Sequence, residues 1–185
     1  MTILASRAQL RASFLRWALF LVPLVLLLGF LSGEVAGSGP GNPWFASLAK
    51  PATYPPPLVF PVVWSVLYVL MGFAAALVAA AWGAKGRSAA LAFFAIQLLL
   101  NLAWSPVFFA MHRIMLAFGL IVAILLWASV TTLLFWRIRR AAGVLMLPYL
   151  VWLCFAVLLN WQVHLLNPNG VTLVPRIGNT QIIIQ

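Results

Sequence analysis

Gln97-Leu-Leu-Leu-Asn101-Leu-Ala-Trp104-Ser105-Pro106-Val-Phe-Phe109 places two amides, an indole and a hydroxyl inside a long apolar run. On a helix each residue advances by about 100°. Gln97, Asn101, Trp104 and Phe108 then share one narrow wedge, with Ser105 at its edge. Polar groups in hydrocarbon are costly unless another part of the protein satisfies them. This face is therefore expected to look inward, toward a helix or a bound ligand, and away from lipid.

The surrounding composition fixes the solvent. Of 185 residues, 65% are hydrophobic and 6% are charged. A water-soluble domain of this size could not cover its surface with so few polar groups. The apolar runs are continuous for about twenty residues, the length of a helical span. They lack the alternation and frequent turns of a transmembrane barrel. The expected fold is an all-α membrane protein, a single bundle of five transmembrane helices. The formal charge of +10 comes from basic residues at the ends of these runs. That placement suits topology signals and lipid headgroups. No separate basic domain exists, so nucleic acid is not an expected partner.

A basic segment, residues 1–13, precedes the first span at about 14–32. A cleaved signal peptide competes with a retained helix here. If Ala36 were the last residue removed, however, Glu34 would occupy a position that requires a small side chain. Residues 33–57 form a Gly- and Pro-rich loop that still carries Trp44, Phe45, Leu48 and Tyr54. Trp44-Phe45-x-x-Leu48 has the spacing of one amphipathic turn, and Tyr54-Pro-Pro-Pro57 is stiff and extended. The loop reads either as a lid or as an interfacial anchor. Further spans follow at about 58–82, 88–109, 114–136 and 141–165, and the tail is 167–185. The five-helix unit as a whole covers residues 14–166.

Basic residues gather on the N-terminal side: Arg7, Arg11, Arg16, Lys85, Arg87, Arg137, Arg139 and Arg140. The other side has Lys50, Arg113 and Arg176. Insertion with the N-terminus in the cytoplasm follows. A bacterial cell membrane fits helical spans, with an outer membrane as the alternative.

No Asp, Glu, Lys or Arg lies within the apolar interiors of the spans, which argues against a proton pump or ion-coupled carrier. No nucleophile–base pair, acid pair or phosphate loop is present, so no catalytic residue is assigned. Two histidines and lone Cys154 do not make a metal site, and no cofactor is required. Lone Cys154 is expected to pack as a small apolar residue. Thr131 and Thr132 can bond back to their own helix.

What remains is a cavity or glue between helices. Trp64 and Tyr68 share a face of the second span, and Tyr149, Trp152, Ala156 and Asn160 form a stripe on the fifth. Together with Asn101, Trp104 and Ser105, these aromatics and amides could enclose a flat apolar ligand. They could equally fill a core and pair across the bundle.

Four motifs, in order, resemble the TspO/MBR family, the tryptophan-rich sensory proteins and translocator proteins. They are Trp44-Phe45-x-x-Leu48-x-Lys50-Pro51 with Tyr54-Pro55-Pro56; Phe60-Pro61-x-x-Trp64-x-x-Leu67-Tyr68-x-x-Met71-Gly72; the opening stretch; and Pro148-Tyr149-Leu150-x-Trp152-x-x-Phe155-Ala156-x-x-Leu159-Asn160. The resemblance implies a five-helix bundle, commonly a homodimer, with a cavity closed by the first loop. It implies binding of tetrapyrroles such as porphyrin or haem, of synthetic isoquinoline carboxamides and benzodiazepines, or of lipid-like small molecules. Asn101 and Trp104 would line the cavity, with Asn101 donating to a ligand carbonyl. Trp152, Phe155 and Ala156 would line it from the fifth helix, and Tyr54 would belong to the lid. The function implied is a membrane receptor or carrier in tetrapyrrole sensing, transport or scavenging. A porphyrin-degrading enzyme and a structural partner with an incidental cavity are the alternatives.

Three departures qualify the resemblance. Thr53 stands where the family usually has a Trp tied to porphyrin photodegradation. Pro57-Leu58 replaces the usual Arg-Trp. Trp161 and Leu165 stand where cholesterol recognition needs Tyr and Arg, so the resemblance does not extend to animal-type cholesterol binding.

Overall fold

The computed structural model describes residues 7–170. Five helices in it are long and apolar enough to cross a membrane. They are α1 (Arg7–Val35), α3 (Val59–Ala79), α4 (Arg87–Ser105), α5 (Ile114–Ile138) and α6 (Arg140–Leu166). A short helix, α2 (Pro43–Ser47), lies in the first loop, and α4 continues into a π-helical turn, Pro106–Ala110. The described residues contain no strand. The chain is thus an all-α, multi-pass membrane protein.

The helices form a ring in the order α1, α3, α6, α5, α4. It closes back from α4 to α1, where Ser32 Oγ donates to the carbonyl of Leu102 at 2.5 Å. The α1–α3 contact is close because Gly72 lies against the α1 backbone. A Cβ at Gly72 would stand 2.6 Å from Val22 Cα. Ala74, Ala75 and Ala76 beside it are fully buried. Small side chains let helices approach in lipid, where dispersion rather than water exclusion drives association. Large residues such as Leu19, Leu27, Leu126 and Val151 face outward. In a bilayer that is their favoured side.

Several boundaries differ from the sequence reading. The first helix is already formed at Arg7, the first described residue, ahead of residue 14, and continues to Val35. Hydropathy marks the stretch that suits hydrocarbon, whereas the helix runs on through Arg-Ala-Gln-Leu-Arg-Ala-Ser, which holds no Gly or Pro. The second span ends as a helix at Ala79, three residues early, and Ala80–Trp82 belong to the turn. Arg87 reaches back there, donating twice to the Ala79 carbonyl and lying over Trp82. At Pro106 the missing N–H removes a helical bond, and the chain widens into the π turn. Cys154 is exposed on α6. Thr131 and Thr132 donate to the Trp127 and Ala128 carbonyls of their own helix.

Two apolar cores result. The larger runs along the bundle axis through Met71, Phe94, Phe135 and Met146. The smaller joins Trp44, Phe45 and Leu48 of the first loop to Phe108, Ile114 and Val163 at one end of the bundle. Residues 171–185, including Arg176 and Ile182–Ile184, lie outside the described residues, as do residues 1–6.

Candidate ligand cavity

Between the helices, under the first loop, lies a cavity of about 680 Å³. Its volume is in the range of small-molecule sites. Asn101 sits on its wall at the centre of a polar clasp. Its Oδ1 accepts from Tyr68 Oη at 3.1 Å, and its Nδ2 donates to Tyr149 Oη at 3.0 Å. The clasp ties α3, α4 and α6 together through three buried side chains. An amide has two N–H groups and two acceptor lone pairs. Asn101 therefore keeps one N–H beyond those the two tyrosines engage.

Aromatic rings build the walls. Trp64 stacks on Tyr68 with centroids 5.2 Å apart. Trp104 stacks on Phe108 at 5.0 Å, and its Nε1 donates to the Ala117 carbonyl, which fixes the indole plane. Trp152 leans on Phe155 at 5.4 Å and meets the edge of Phe60. Ser105, Ala156 and Asn160 complete the predicted set on the wall. Tyr149 is different. It is fully buried one layer back, does not line the cavity, and acts on it by holding Asn101 and by packing edge-on against Trp64. Gln97 is also fully buried and away from the cavity, and neither end of its amide has a hydrogen-bond partner among the described residues.

The first loop is docked by specific bonds. Asn42 caps α2 by accepting from Phe45 N–H, and donates to the carbonyls of Gly37 and Phe109. Trp44 Nε1 donates to Gly170 at 2.7 Å, and the Trp44 ring stacks on His112. Asn167, just past α6, exchanges two bonds of 2.9 Å with the backbone of Ala49. Thr53 is exposed, pairs with Gln162, and does not line the cavity. Tyr54 does line it, packing on Phe45 and Phe60. Partial burial raises the Tyr54 phenol above its ordinary value, so it stays neutral. Burial also lowers the Lys50 ammonium, whose hydrogens go to the Phe45 and Leu48 carbonyls while it lies over the Phe45 ring.

Parts of the wall were not foreseen. α1 contributes Gly29, Phe30 and Gly33, and α5 contributes Ile121 and Ile124. Both helices read as plain apolar spans. The Gly29-x-x-x-Gly33 spacing was the available signal, because it puts two small residues on one helix face. A Cβ at Gly29 would overlap the Tyr68 ring, so this glycine makes the room in which the clasp forms. Glu34, the only acid in the chain, stands exposed on the cavity rim. No group of three or more His, Cys, Asp or Glu that could hold a metal occurs among the described residues.

Residues 20–166 match the profile of the TspO/MBR family. Protein CrtK of Rhodobacter capsulatus is 44% identical over 128 residues, covering 68% of this chain and 79% of the relative. The tryptophan-rich sensory protein of Cereibacter sphaeroides is 39% identical over 156 residues, covering 83% and 94%. The human translocator protein is 35% identical over 138 residues, covering 74% and 82%.

Proposed function

This chain belongs to the TspO/MBR family, and from that premise we propose that it is a membrane receptor or carrier for tetrapyrroles and similar flat apolar ligands. The observation that carries the reading is the cavity, about 680 Å³, walled by Trp64, Trp104 and Trp152. Indole faces stack on flat conjugated rings, and the spare N–H of Asn101 orients a ligand carbonyl. Porphyrin or haem is then a ligand and not a resident cofactor. Phe45 and Tyr54 close the cavity from the loop.

Titration of purified protein with protoporphyrin, followed by tryptophan quenching, tests this. Binding is expected to weaken at least ten-fold in the double variant Asn101→Ala, Trp104→Ala. Unchanged affinity in that variant overturns the assignment of the ligand to this cavity. The reading extends to a bacterial cell membrane with the N-terminus in the cytoplasm, supported by the excess of Lys and Arg at that end. It also includes a homodimer formed through the outer apolar faces. Light-dependent breakdown of the ligand is less well supported, because Thr53 replaces the tryptophan that the family uses and stands off the cavity.

A further inference from the structure

A second hollow, of about 400 Å³, opens between the N-terminal part of α1 and the turn that follows α3. Ser13, Arg16, Trp17 and Phe20 line it from one face of α1, at i, i+3, i+4 and i+7, and Trp82 lines it from the turn. It shares no residue with the ligand cavity and lies toward the end of the bundle opposite the first loop. The Trp17 and Trp82 rings meet at 6.5 Å, tilted by 45°. Arg87 holds Trp82 in place: its guanidinium lies 4.2 Å from the ring centroid while donating twice to the Ala79 carbonyl.

Depth and charge give the hollow its chemistry. From Arg16 to Val35, α1 rises about 28 Å at 1.5 Å per residue, close to the roughly 30 Å of bilayer hydrocarbon. Arg16 therefore stands where hydrocarbon ends and lipid phosphates begin. Indoles favour the same depth. No acidic side chain can pair with Arg16. The only one in the chain, Glu34, is about 27 Å further along the same helix.

We propose that this hollow binds an anionic glycerophospholipid, with the phosphodiester on Arg16 and the Ser13 hydroxyl. A guanidinium presents a planar fork of N–H donors that matches two phosphate oxygens. Trp17 and Trp82 flank the glycerol. From the rim, Phe20, Leu27 and Leu31 continue at i, i+7 and i+11 along α1, all exposed. They give one acyl chain an apolar track. Arg11, Lys85 and Arg87 add positive charge at the same end. That charge repels choline and ethanolamine and favours a polyol headgroup, as in phosphatidylglycerol. A free phosphate would gain the Arg16 contact without the acyl track, so the occupant is the lipid.

The experiment uses the full chain in neutral detergent, with lipid retention read by native mass spectrometry. Wild type is expected to hold dioleoyl-phosphatidylglycerol about five-fold more tightly than dioleoyl-phosphatidylcholine, the weight of about one basic residue at an anionic bilayer surface. Arg16→Gln is expected to abolish the preference. Arg11→Gln, which removes the same charge outside the hollow, is expected to keep it. A readout that needs no variant is phosphatidylglycerol with a photoreactive diazirine near its glycerol. It is expected to label wild type at Ser13–Phe20 and at Trp82. Equal binding of the two lipids overturns the site, as does label spread evenly over the lipid-facing helices. So does a preference that Arg16→Gln leaves intact or that both variants lose alike. Displacement by soluble glycerophosphate at the concentration of the lipid overturns the lipid as occupant.

Discussion

Tyr149 and Gly29 shape the cavity without belonging to its chemistry. Tyr149 holds Asn101 from behind, and Gly29 clears space for Tyr68, which holds it from the other side. Tyr149→Phe removes one hydroxyl and leaves an amide N–H of Asn101 unpaired. The expected loss is about 1 kcal/mol of stability, with ligand affinity down several-fold, read by thermal unfolding and tryptophan quenching. An unaltered melting curve together with unaltered affinity would mean that the clasp does not position Asn101. Gly29→Ala pushes a methyl group into the Tyr68 ring. Overpacking of this kind costs about 1–3 kcal/mol, and protoporphyrin affinity is expected to fall roughly ten-fold. Retention of full affinity would show that Tyr68 can move aside without consequence. The polar wedge of Gln97, Asn101 and Trp104 was visible in the sequence because periodicity assigns faces. Which amide has a partner was not visible, since hydrogen bonding depends on groups 33 and 48 residues away in the chain.

At the scale of elements, the first loop is the decisive one. Its Gly and Pro content excluded a long helix, and its aromatics left lid and interfacial anchor equally open. Hydrogen bonds dock it on the end of the bundle. Asn167 grips the backbone of Ala49 from both sides, and Trp44 is inserted beneath, reaching Gly170. Asn167→Ala removes both bonds to Ala49, and with them the side-chain bond to the Val163 carbonyl, at a residue that does not itself line the cavity. Ligand dissociation is expected to accelerate about ten-fold, the equivalent of about 1.4 kcal/mol, as measured by stopped-flow displacement. A dissociation rate equal to that of wild type would show that the loop does not gate the cavity. The π turn at Pro106 belongs to the same scale. There the helix widens, and Phe108 and Phe109 reach the loop.

For the whole molecule, the ring order places the ends of α1, α3, α4, α5 and α6 so that the basic turns at Lys85–Arg87 and Arg137–Arg140 share one end of the bundle. The first loop covers the opposite end, with Arg113. Positive charge then predicts orientation. In a Cys154→Ser background, Gly41→Cys is expected to react with an impermeant maleimide added outside intact cells, and Lys85→Cys only after the cells are opened. The reverse pattern would invert the topology.

The sequence by itself determined the solvent, the number of spans and their approximate faces. Each of these follows from hydrophobic length and helical period, properties local to a stretch of chain. It also carried the family likeness, through motifs whose spacing survives in one dimension. Only the tertiary structure decided that α1 and α5 help to wall the cavity, because plain apolar spans give no sign of which neighbour they meet. Only the tertiary structure separated Asn101, engaged by two tyrosines, from Asn160, engaged by none. The two amides look alike in sequence. What distinguishes them is which side chains the packing of distant helices brings within about 3 Å, the reach of a hydrogen bond.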